Sequence, residues 1–158
     1  MILLLAIYLV ISALIVGLDQ WTKYLTVENI QLGETKEFIS GFLSFTYIRN
    51  TGGAWSILEG KMMFFYIMTV AVVAVLLYLL VKNIKSSKWF TIGLSLILAG
   101  ALGNFIDRLR LGYVVDMLKT EFIDFPIFNI ADMALVIGVA CVFIHLILEE
   151  RAEKKGKS

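Results

Sequence analysis

The sequence predicts an all-α membrane protein with a small β element: four transmembrane helices and an amphipathic β-sheet lying on the membrane surface. Three observations carry this. The 158-residue chain is 59% hydrophobic and only 17% charged, against about 25% charged in soluble domains, and its mean hydropathy is +0.87. Four apolar runs are each long enough to cross a hydrocarbon core of about 30 Å. One polar connection alternates like a strand. The length suits a single domain over residues 1–158, and a net charge of +1 offers nothing to nucleic acid.

The first run, Ile2 to Leu18, lacks a basic leader and a small-x-small cleavage site, so it reads as a retained span rather than a signal peptide. The second covers Met62 to Val81, the third Trp89 to Leu109, and the fourth Ile130 to Leu148. Orientation follows from the basic residues of the short loops. Lys82, Lys85 and Lys88 lie between spans two and three, and Arg151, Lys154, Lys155 and Lys157 lie in the tail. These are seven of the fourteen Lys and Arg residues, and four spans put them on one side. Both termini are therefore expected in the cytoplasm. The connection from Tyr24 to Gly60 is then extracytoplasmic. Within it, Phe38 to Ile48 alternates and is rich in β-formers, and Asn50-Thr51-Gly52-Gly53 follows as a turn or close backbone approach. Glu149 to Ser158 reads as a solvated charged tail.

Against this apolar background the polar residues stand out. Asp19 and Lys23, four apart, share a helix face and read as an interfacial ion pair or as part of a site. Asn104, Asp107 and Arg108 make one face of span three polar; a knot fastening helices together is an equal reading. Asp116 follows span three. Asn129 and Asp132 sit one turn apart at the start of span four, where Asp132 also suits a helix cap. All converge on the same side of the membrane. Ionisable groups at such depth usually mark function, and two carboxylates able to share a proton equip an aspartic protease. No metal set accompanies them, and Ser56 and Ser95 lack a base for acyl-enzyme chemistry. Cys141 and His145, both within span four, read as structural.

The order of five segments resembles the lipoprotein signal peptidases (signal peptidase II), bacterial membrane aspartyl peptidases. They are Asp19-Gln20-Trp21-Thr22-Lys23, Arg49-Asn50-Thr51-Gly52-Gly53-Ala54-Trp55, Gly103-Asn104-Phe105-Ile106-Asp107-Arg108, Val114-Val115-Asp116 and Phe128-Asn129-Ile130-Ala131-Asp132. The resemblance covers nearly the whole chain. It departs at Gly53, where the family usually has Ala, and at Met133, where it has a small residue. It implies a catalytic dyad of Asp116 and Asp132, supported by Asp19, Lys23, Asn50, Gly52, Asn104, Asp107, Arg108 and Asn129. It further implies diacylglyceryl-modified prolipoproteins as substrates, cut just before the lipidated cysteine, with no cofactor or metal. The chain is expected to act as a monomer in the bacterial cytoplasmic membrane, with membrane lipid around it. The rival reading is a proton- or ion-coupled transporter, which four spans without an inverted repeat serve poorly.

Overall fold

The structure is a computed structural model, and it describes residues 1–53 and 57–156. Ala54, Trp55 and Ser56, which include the end of the second segment, lie outside the described residues, as do Lys157 and Ser158. Four helices form the bundle: α1 (Ile2–Asn29), α2 (Met62–Lys82), α3 (Lys88–Leu111) and α4 (Ile130–Gly156). All four are long and apolar enough to cross a membrane. The central one is α3, with half of its apolar window buried, against 11–22% for the others.

Small residues make that centrality possible. A Cβ on Gly93 would stand 2.8 Å from the Gly138 carbonyl oxygen, and one on Gly138 2.7 Å from the Gly93 oxygen. The backbones of α3 and α4 thus meet without intervening side chains, as small residues in membrane helices permit. Leu94 and Leu98 of α3 pack with Leu76 and Leu80 of α2.

Two helices outrun their expected ends. The α1 helix continues eleven residues past Leu18, because Asp19, Lys23 and Thr26 are buried and turn inward, where partners await them. The tail is solvated through Lys155, yet it is helical to Gly156.

Three antiparallel strands in the order β1-β2-β3 cap one end of the bundle: β1 (Thr35–Ile39), β2 (Leu43–Asn50) and β3 (Val114–Thr120). The expected strand from Phe38 to Ile48 is therefore a hairpin that turns between Ile39 and Leu43. Strand β3 is not foreseen by local pattern. It places Asp116 in a sheet rather than a loop, opposite Ile48, while Asn50 lies opposite Val114 and Arg49 opposite Val115. Gly112 makes the entry possible: it caps α3 with φ 77°, a left-handed conformation favoured by glycine. The chain then returns through Phe128, whose backbone bridges to Leu118 in both directions (3.1 and 2.8 Å). That bridge delivers Asn129 and α4 to the flank of β3.

Candidate active site

Asp116 and Asp132 line one cavity of about 530 Å³, together with Asn50, Asn104 and Arg108. Strand β3 carries the first aspartate and the opening turn of α4 the second. Side chains alternate across a strand, so Asp116 and Val114, with Asn50 on the neighbouring strand, turn to the cavity.

Two asparagines link the aspartates. Asn129, fully buried, donates through Nδ2 to Asp116 Oδ1 (2.8 Å) and to Asn104 Oδ1 (3.1 Å). Asn104 then donates through Nδ2 to Asp132 Oδ1 (2.7 Å). The second oxygen of Asp116 accepts from Asn50 Nδ2 (3.0 Å), and that of Asp132 accepts from the Asn129 backbone N–H (3.2 Å). Every carboxylate oxygen of the pair is thus held by a fixed donor. Burial, and next the charge of Asp132, push the Asp116 carboxyl up to about 7, although Asn50 and Asn129 pull the other way.

Behind this layer lies a buried charge cluster. Lys23 has three N–H donors and uses all three: Asp19 Oδ2 (2.9 Å), Asp107 Oδ2 (3.0 Å) and Asn104 Oδ1 (3.0 Å). Both carboxylates also hold backbone. Asp19 Oδ1 accepts from Ala131 N–H (2.9 Å), next to Asp132, and Asp107 Oδ2 accepts from Val115 N–H (3.0 Å), next to Asp116. The cluster therefore positions both strands of chemistry at once. The polar knot of the sequence reading is present, whereas the Asp19–Lys23 pair is buried rather than interfacial: the ammonium joins α1 to α3, and the two carboxylates extend the link to α4 and β3. Gly103 allows it, since a Cβ there would lie 2.7 Å from Asp19 Oδ2.

Arg108 forms the remaining wall. Its Nη2 donates to the Gly52 carbonyl (3.0 Å), and its guanidinium lies 4.4 Å from the Phe65 ring centroid. Gly52 N–H in turn donates to Asn50 Oδ1 (2.9 Å). The Arg108 Nε–H, though buried, has no partner among the described residues. Gly53 and Met133 also line the cavity, and the rest of the wall is apolar, including Phe125, Leu135, Val136 and Ile137.

All ten residues singled out by sequence thus meet in one region. Missed was Gln20, whose Nε2 donates to Asp107 Oδ1 (2.8 Å) and the Gly103 carbonyl (3.2 Å); its place one residue from Asp19 was the available signal. Tyr66, whose hydroxyl donates to the Arg108 carbonyl (2.9 Å), carried none. Away from the site, His145 Nδ1 pairs with Ser87 Oγ (2.9 Å), about 20 Å of helix from Asp132. Ser95 Oγ is spent on the Thr91 carbonyl (2.8 Å).

Four membrane-spanning helices with a small sheet at one end define the fold, and comparison with known proteins shows the class, a membrane peptidase. The sequence profile of the signal peptidase (SPase) II family matches residues 11–148. The lipoprotein signal peptidase of Enterococcus faecalis is 68% identical over 98% of this chain and 96% of its own length. That of Latilactobacillus sakei is 50% identical over 92% and 96%. A bacterial membrane enzyme solved by the in meso method superposes with a TM-score of 0.88 at 42% identity, covering 92% of this chain and 90% of that one. The chain belongs to the signal peptidase II family. Nothing in these relationships favours a transporter.

Proposed function

We propose that Asp116 and Asp132 are the dyad with which this peptidase removes signal peptides from lipid-modified prolipoproteins, cutting before the lipidated cysteine. The observation that carries the reading is the Asp116–Asn129–Asn104–Asp132 chain, which aims two carboxylates into one cavity. Two close carboxylates cannot both ionise cheaply, so they hold one proton between them. The raised proton affinity of Asp116 fits a proton held by the pair at neutral pH. The charged member takes a proton from water as the water attacks the scissile carbonyl. The protonated member hydrogen-bonds the carbonyl oxygen as negative charge develops there. Proton return to the leaving amine then completes the hydrolysis. The Arg108 Nε–H, without a partner among the described residues, is a candidate donor for a substrate carbonyl at the cavity wall. The other polar residues position the dyad.

Lipid recognition is supported by the cavity's apolar side. Val136 and Ile137 line it, yet are 69% and 49% exposed on the bundle surface. An acyl chain can thus lie along α4 while the peptide reaches the aspartates, each buried methylene contributing about 0.8 kcal/mol. Lys82, Lys85, Lys88, Arg151, Lys154 and Lys155 at the opposite end of the bundle support a cytoplasmic location for both termini and an extracytoplasmic site. The test is cleavage of matched precursors with and without the diacylglyceryl group by protein in detergent. Strong preference for the lipidated form is expected; equal rates would contradict lipid recognition.

A further inference from the structure

Two arginines beside the site take no part in its charge network. Arg49 and Arg110 are both exposed, and neither has a carboxylate within ion-pair distance among the described residues. Arg49 is nevertheless held in place. Its Nε donates to the Tyr47 hydroxyl (3.0 Å), and its guanidinium lies 5.6 Å from the Tyr47 ring and 4.9 Å from the Tyr113 ring. Tyr113 and Arg110 line a second cavity, of about 210 Å³. Strand alternation puts Arg49 and Val115 on the sheet face opposite Asn50 and Asp116, so this cavity lies behind the dyad.

Its remaining walls combine two chemistries. Gln20, Lys23 and Asp107 form a polar floor, where the Asp107 charge is already matched by Lys23 at 3.0 Å. Tyr24, Val27 and Leu111 form its apolar margin, and they are 60%, 42% and 44% exposed on α1 and α3. Both helices end here, where spans leave the hydrocarbon. A guanidinium matches a phosphate with paired, charge-assisted N–H donors. Basic side chains at this level face lipid headgroups.

We infer that the second cavity and its rim bind the headgroup of an anionic phospholipid, its phosphodiester between Arg110 of the lining and Arg49 beside Tyr113, and its acyl chains along the exposed apolar margin of α1 and α3. Charge complementarity selects the headgroup: two cations, one of them held by Tyr47 and Tyr113, lack a counter-ion among the described residues. The apolar margin selects a lipid over a free anion.

The test uses the full chain in neutral detergent, with bound dioleoylphosphatidylglycerol counted by native mass spectrometry. The expected result is retention of this lipid, weakened about tenfold or more in Arg49→Gln/Arg110→Gln and largely kept in Arg49→Lys/Arg110→Lys. Dioleoylphosphatidylcholine, whose choline would face the arginines, should not be retained. Each single Gln variant should show part of the loss, so the test survives a folding defect in the double variant. Equal retention by wild type and the Gln variants would overturn the inference, as would equal retention of the two lipids. Displacement of the lipid by millimolar inorganic phosphate would show a free-phosphate site instead, and would overturn the lipid assignment.

Discussion

Asn129 and Asp132 cap each other. The Asn129 side-chain oxygen accepts from the Asp132 backbone N–H (2.9 Å), and the Asp132 carboxylate accepts from the Asn129 backbone N–H (3.2 Å). This is a reciprocal capping arrangement at the start of α4, and it fixes the rotamer of one member of the dyad. Helix capping and catalysis, alternatives when only the sequence is considered, are here one interaction.

Asn129→Ala should therefore lose stability and activity together. The cap is worth about 1 kcal/mol, and Asp116 loses its 2.8 Å donor. Thermal unfolding in detergent and the cleavage rate measure the two losses. An unchanged rate would show that the asparagine only caps.

The Lys23 cluster should be costly to break from its centre. Lys23→Met leaves Asp19 and Asp107 buried without a cation, a loss of about 3–5 kcal/mol. Lys23→Met/Asp107→Asn should recover part of it. Gly103→Ala should also impair folding or activity, because the new Cβ displaces Asp19, whereas Gly17→Ala, with open space at its Cβ, should not. Full stability of Lys23→Met would mean the cluster carries little energy.

Cleavage should fall as pH rises through about 7. The Asp116 pKa is raised, so the shared proton is present below that value and lost above it. Loss of the proton leaves two carboxylates and no acid. A rate that stays flat from well below to well above neutrality would contradict a catalytic proton held by the pair.

Topology follows from the basic residues. A cysteine replacing Lys36 should react with an impermeant reagent from the extracytoplasmic side, and one replacing Ser86 only after the cell is opened. The reverse pattern would put the site on the cytoplasmic side.

The four spans were legible because apolar length is a local property. The aspartates were legible because an ionisable group is conspicuous among such residues. The end of α1 was misplaced by the same rule: Asp19 and Lys23 look like the limit of the membrane, whereas their charges turn inward onto α3. Strand β3 stayed hidden because its partner β2 lies more than sixty residues away in the chain, and Val114-Val115-Asp116 is too short to declare itself. Gln20 was missed because its amide gains meaning only when Asp107 arrives from another helix. Long-range pairing, not composition, assembled the site.

The central claim is tested most directly by cleavage of a lipidated precursor by Asp116→Asn and Asp132→Asn, each purified in detergent and shown to be folded. Asn keeps the shape of the side chain and, at Asp132, an oxygen for the cap, but it cannot share or transfer the proton. Both variants should lose activity by at least the roughly 10²–10⁴-fold that general acid–base catalysis contributes, with thermal stability near that of the wild type. Near-normal cleavage by either folded variant would contradict the dyad.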